Sequence, residues 1–139
     1  MYRVLMPVDT DEQRALAQAE YVASLPDAEN AVEVILLFVF HGETDEMPEE
    51  LKQYGTATRV ASVRRAREYL EEHDIEVRIQ EDSGDTAGDI LDLAEEEDVD
   101  AIVLGGRKRS PTSKLLFGSI SQTVLLESDR PVTITGGRA

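Results

Sequence analysis

The chain has no cysteine and only three lysines, Lys52, Lys108 and Lys114, among 139 residues. Without cysteine there are no disulfides, no thiolate nucleophile and no Cys-ligated metal, so a metal would have to rely on oxygen or on the two histidines. No apolar run reaches the roughly 20 residues of a membrane-spanning helix. Met1 leads straight into a short apolar run that is too brief for a signal peptide and has no small-residue cleavage site after it. A cytoplasmic protein with no membrane partner is therefore expected. A basic excess is also lacking. Lys and Arg number 14 against 29 Asp and Glu, a formal charge of −15. Nucleic acid is a poor partner for such a surface, because phosphate-backbone binding relies on clustered bases. Excess carboxylate with eleven arginines to three lysines reads as adaptation to molar salt, which screens the self-repulsion of the acids.

What is present is an ordinary apolar fraction, 41%, in a chain long enough for one domain with a real core. Strand-like runs fall at Tyr2 to Val8, Ala31 to Phe40, Ile75 to Gln80, Ala101 to Leu104 and Val132 to Thr135. The second is nearly all apolar, as for a strand buried on both faces, and the third alternates like an edge strand. Helical patterns lie between them. Asp11 caps one running to about Ser24, with Leu16, Ala19, Ala23 and Leu25 on its apolar side. Another spans about Leu51 to Glu72, with a start blurred by Gly55. A third is capped by Asp85 or Thr86, and a fourth runs from about Ser119 to Glu127. LPDAEN, at 25–30, reads as a loop. Strict alternation implies an α/β fold, one domain over residues 1–139: a doubly wound, five-stranded parallel sheet with helices on both faces, for which the order 3-2-1-4-5 is expected without being fixed by the alternation.

One place is free of acids. Ala101 to Leu126 holds none, where 29 acids in 139 residues would place about five in a window of 26. Leu51 to Arg67 is a second such run, so the feature suggests an anion partner without proving one. In a doubly wound sheet, ligands bind where strand order reverses, here between the ends of the first and fourth strands. Gly105 and Gly106 permit a sharp turn or close approach. Gly118-Ser119 opens a helix whose free N–H groups attract phosphate, with Ser119 and Ser121 as hydroxyl donors. Arg107, Lys108, Arg109 and Lys114 raise the local potential. Neither a P-loop nor a dinucleotide fingerprint is present. Taken alone, the same glycines could simply end a strand and Ser119 simply cap a helix.

Several short stretches in order resemble the universal stress protein family. They are Met6-Pro7-Val8-Asp9, Gly84-Asp85-Thr86-Ala87 to Ala94, Asp100 to Gly105, and Gly118-Ser119 to Val124-Leu125 with Pro131-Val132. ATP-binding members carry G-x2-G-x9-G-[ST]. Setting Gly118-Ser119 on its last pair puts Gly105 on the first glycine and Lys108 on the second. The resemblance implies an ATP site with Pro7, Val8, Asp9 and Val39 at the adenine and ribose end. Leu104, Gly105, Arg107 and the Lys108 position would approach ribose and phosphate, and Gly118, Ser119, Ile120 and Ser121 would hold the phosphates. Lys108 either crowds that site through its Cβ or meets phosphate through its ammonium group. The resemblance also implies a homodimer through Val132 to Thr135, with Gly136-Gly137 following.

Asp9 is a candidate ribose or metal ligand, for Mg or Mn carried with nucleotide; its alternative is a turn residue after the first strand. A receiver domain is excluded because no lysine follows Lys114. His41 and His73 are expected in solvent. Glu95, Glu96, Glu97 and Asp98 read as a solvated helix end, and Arg59, Arg64, Arg65 and Arg67 as an exposed face paired with Glu68, Glu71 or Glu72. Ser110, Thr112 and Ser113 read as a polar loop. No nucleophile–base pair is visible, so hydrolysis would be slow at most and metal-dependent. Two functions follow: an ATP-binding stress-response module, or a dimeric interaction module that binds no ATP or another anion.

Overall fold

The computed structural model describes residues 1–39, 60–81, 85–106 and 118–136. Five parallel strands, β1 (Tyr2–Val8), β2 (Val32–Phe38), β3 (Glu76–Glu81), β4 (Ala101–Gly105) and β5 (Val132–Thr135), stand in the order β3-β2-β1-β4-β5. The expected fold and strand order are therefore observed. The helices are α1 (Glu12–Ala23), the short α2 (Ala28–Ala31), α3 (Ala61–Glu72), α4 (Thr86–Glu96) and α5 (Ser119–Glu127). The segment expected as a loop at 25–30 thus contains one turn of helix. The earlier part of the 51–72 helix lies outside the described residues, as does Phe40.

Strand periodicity divides the core in two. Val4, Met6, Val8, Val34, Leu36, Phe38 and Val103 face one side, against α1 and α3. Leu5, Ile35, Leu37, Ile102 and Leu104 face the other, with Ile90 and Ala94 of α4 and Val124 of α5. β1, β2 and β4 are buried over nearly their whole length because both faces are covered. β3 is the edge strand its alternation suggests.

Asp11 caps α1 as expected, its carboxylate accepting from the Arg14 N–H at 2.9 Å. The buried stripe of α1 is Ala15, Gln18, Ala19 and Val22, with Leu16 and Ala23 only at its flanks. Ala19 lies in that stripe and Ala23 and Leu25 pack against the core beside it, while Gln18 at its centre is a position that apolar content does not mark. Asp85 occupies the N-cap of α4 without a capping side-chain hydrogen bond. Two of the four acids at the end of α4 are engaged rather than merely solvated. Glu97 accepts from Arg78 Nη2 at 2.7 Å, and Asp98 from Arg130 Nη2 at 3.1 Å. On α3, Arg67 pairs with Glu71 at 3.9 Å as expected, whereas Arg65 reaches across to Glu12 of α1 at 3.3 Å. His73 is exposed and stacked on Tyr69.

α3 and α4 end in the same way. Asp74 and Asp98 adopt left-handed φ of 58° and 50°. Beyond each, the next N–H bonds back to the last turn, Ile75 to Leu70 and Val99 to Ala94. Glycine is the usual residue there; an aspartate brings both a Cβ and a negative charge to the negative end of a helix. Asp74→Gly is expected to stabilise the fold by about 0.5–1 kcal/mol in urea unfolding at low salt, with less gain in molar KCl. Asp98→Gly should gain less, since it also removes the bond from Arg130. An Asp74→Gly protein no more stable than wild type at low salt would refute the strain.

Candidate functional site

β1 and β4 part company before β1 ends. Their register pairs Val4 with Ala101 and Leu5 with Ile102, and goes no further. The amide at position 7 would face β4, since the next residue, Val8, turns its carbonyl to Val39 N–H on the other side at 2.9 Å. Proline has no N–H to give, so the ladder stops. Gln18 supplies the missing donor. Its Nε2 donates to the Pro7 carbonyl at 2.7 Å and the Val103 carbonyl at 3.0 Å, and the side chain is 1% exposed. α1 therefore wedges apart the two strand ends at the reversal of strand order.

The result is a small cleft, partly open to solvent, at the carboxyl ends of β1 and β4. Pro7, Val39, Ile90, Leu104 and Ile120 give it apolar walls; Asp9, Arg14, Gln18, Gly105 and Ser121 are its other lining residues. The turn after β1 is pinned from two helices. Asp9 Oδ1 accepts from the Asp11 N–H at 2.9 Å, and its carbonyl accepts from Ser62 Oγ of α3 at 2.5 Å. Asp9 Oδ2 accepts from Arg14 Nη1, while Arg14 Nε donates to the Gly106 carbonyl at 3.3 Å. At the cleft mouth, α5 begins with Gly118 as N-cap, and among the described residues no side chain caps it. Its first-turn N–H groups point out of the helix end, as in any α-helix.

A family model described as "Universal stress protein family" matches residues 1–136. The chain belongs to the universal stress protein family. A universal stress protein of Mycolicibacterium smegmatis is 37% identical over 45% of this chain and 55% of that protein, so the match spans about half that relative's length. The solved universal stress protein of Archaeoglobus fulgidus is 28% identical over 97% of this chain and 98% of its own, with a TM-score of 0.71. The fold is shared by a structure of an A. fulgidus universal stress protein with dAMP (22% identity, TM-score 0.67, 97% and 98% covered). It is shared too by a universal stress protein with cAMP (20%, TM-score 0.63, 99% and 98% covered).

Of the residues that the family pattern singles out, Pro7, Asp9, Val39, Leu104, Gly105, Ile120 and Ser121 meet at this one cleft. Val8 does not line it; its side chain is fully buried in the α1–α3 core, and only its carbonyl is near. Gly118 and Ser119 stand at the start of α5, Ser119 exposed. Arg107, Lys108, Arg109, Ser110, Thr112, Ser113 and Lys114 lie outside the described residues, as do His41, Arg59 and Gly137. Sequence reasoning missed Arg14, Gln18 and Ile90. Arg14 and Gln18 are four apart and so share one face of α1, but only tertiary contact shows that this face meets the strand ends. Among the described residues no group of three or more His, Asp or Glu side chains could hold a metal. Asp9 offers a divalent cation one carboxylate, already paired with a guanidinium.

Gly105 is required for space, since a Cβ there would meet Arg14 Cγ and lie 2.7 Å from Arg14 Cδ and 3.0 Å from Gln18 Oε1. Gly105→Ala is expected to cost about 1–3 kcal/mol in urea unfolding. In an Arg14→Ala background the same change should cost at least about 1 kcal/mol less, with Gln18 keeping part of the strain. Equal costs in both backgrounds would show that Arg14 does not set the need for glycine.

Proposed function

We propose that this chain is a nucleotide-binding stress-response module that takes ATP, or a related adenine nucleotide, at the cleft between β1 and β4. The observation that carries the reading is the convergence of five separated stretches of chain on that cleft. An apolar slot for a base, Asp9 for a ribose and the uncapped start of α5 for phosphate lie in one place. Relatives of the same fold solved with dAMP and cAMP support a nucleotide as the ligand class. In this reading Pro7 and Val39 flank the base, with Val8 contributing backbone, and Gly118, Ser119, Ile120 and Ser121 hold the phosphates. Arg107 and Lys108 follow Gly105-Gly106 in the sequence and would add positive charge for a phosphate. Mg or Mn, if required, arrives on the phosphates. The competing reading is a dimeric interaction module that takes phosphate, sulfate or chloride, or nothing; Lys108 in place of the motif's second glycine favours it.

Calorimetric titration of nucleotide-free protein with Mg-ATP in molar KCl decides between them, with Ser119→Asp alongside. Micromolar binding that is lost in the variant is expected, because a carboxylate at the exposed first position of α5 repels phosphate. No heat up to millimolar ATP would sink the nucleotide reading.

The proposal extends to a homodimeric, cytoplasmic protein of one domain, residues 1–139, working at high salt. β5 pairs only with β4 among the described residues, and Val132 and Ile134 are half-buried beside it. Leu126 of α5 is 75% exposed. Such an edge suits pairing with a second copy. No described helix is long and apolar enough to cross a membrane. Light scattering and thermal unfolding from about 0.1 to about 1 M KCl test both points. A dimer whose unfolding temperature climbs with KCl is expected. A monomer removes the dimer, and a flat or falling temperature removes the salt adaptation.

A further inference from the structure

We infer that Arg14 is a specificity-determining residue of the cleft, a resident side chain that a nucleotide must displace before its ribose can reach Asp9 and Gly105. This rests on the nucleotide reading above. The stem of Arg14 lies against Gly105 so closely that no Cβ fits between them. The space that a motif glycine leaves for an approaching ligand is therefore filled by the protein itself. The guanidinium is held at its far end as well. Nη1 donates to Asp9 Oδ2, Nε donates to the Gly106 carbonyl at 3.3 Å, and Nη2 lies 3.5 Å from Asp11 Oδ2.

Two features set how firmly this occupant is seated. The pair is sheltered, with Arg14 21% and Asp9 13% exposed, so salt screens it less than a surface pair. Two carboxylates, those of Asp9 and Asp11, face one guanidinium, so Arg14 is already neutralised and is poorly suited to receive a phosphate. A hydroxyl-bearing ligand reaching Asp9 through the cleft competes with Arg14 for the same carboxylate and for the same room over Gly105. Its apparent affinity is then reduced by the small fraction of molecules in which Arg14 has swung out. Side chains that pack less well against Gly105, or that cannot pair with Asp9, lift that restriction.

The test is calorimetric titration of wild type, Arg14→Ala and Arg14→Met with AMP in one KCl buffer, after thermal unfolding has shown that each is folded. Arg14→Ala empties the space, and Arg14→Met keeps a stem in the helix face while losing the charge. Arg14→Ala is expected to bind AMP about fivefold or more tightly than wild type, with Arg14→Met between the two. If Arg14→Ala does not fold, tighter binding by Arg14→Met than by wild type decides the matter. In wild type, saturation with AMP should shift the Arg14 Nε–H resonance as its bond to the Gly106 carbonyl is lost. Wild-type binding that is equal or weaker in the variants would overturn the inference and leave the nucleotide site standing, with Arg14 a contributor to the ligand. Binding by none of the three would remove the nucleotide reading and this inference together. Binding by the variants alone would support the exclusion by Arg14 while removing nucleotide binding by the wild-type chain.

Discussion

The site depends on one missing hydrogen bond. Pro7 cannot donate to β4, and the parallel ladder between the two central strands ends two residues before it. An unpaired carbonyl at Val103 in this buried position would be costly. The amide of Gln18 satisfies it, and satisfies Pro7 as well. That requirement explains why a glutamine stands in the centre of the buried stripe of α1 among alanines and a valine. It also fixes the helix against the strand ends, so the side chain one turn earlier, Arg14, is delivered to the mouth of the gap. Cleft, wedge and occupant follow from one imino acid in β1.

Electrostatics at the two ends of the sheet are handled differently. At the amino ends of the strands, Arg3 donates to Glu33 at 2.5 Å and to the Glu97 carbonyl at 2.6 Å, and Arg78 meets Glu97. The bond and charge of Glu33 hold the Arg3 guanidinium above its ordinary pKa. These pairs tie β1, β2, β3 and the end of α4 together, and they offer a ligand little, since each charge is answered locally. At the carboxyl ends half of the residues that line the cleft are apolar, and its one cation, Arg14, is answered by Asp9 and Asp11. Of the elements that reach the cleft, β4 and the first turn of α5 bring no carboxylate, so an anion meets the least repulsion from that side.

The fold was legible in the sequence because its signals are long-range averages. Val32 to Phe38 reads as a doubly covered strand from composition alone, and Glu76 to Glu81 as an edge from alternation. The strand order followed from the family resemblance and the logic of crossovers. Most of the cleft lining was legible for the same reason, since each stretch sits at a strand end or helix start that a motif marks. Arg14 and Gln18 were not, because their roles arise from tertiary contact. Nothing local distinguishes a glutamine that bridges two strands from one in solvent, or an arginine seated over a glycine from one on a surface. The aspartates at the ends of α3 and α4 were missed for a related reason. A left-handed cap is anticipated from glycine, and an acidic chain has placed carboxylates there instead.

Gly105 shows where motif reading and physical reading diverge. In the family pattern the glycine is the place where backbone lets a ligand come close. Here the same absence of a Cβ is used by Arg14, whose stem fills the room. A glycine required by an internal contact leaves the same trace in sequence as one required by a ligand, so its presence cannot by itself argue for nucleotide. What the structure adds is the competitor. On the proposed nucleotide reading, affinity at this cleft is a difference between the contacts a ligand makes with Asp9, Gly105 and α5 and the contacts Arg14 gives up there. The ion pair is sheltered enough to resist screening, so this difference persists at salt concentrations that weaken exposed pairs. Under the proposed displacement, ligand fills the cleft only above the concentration at which Arg14 gives way, so one side chain of α1 sets that level.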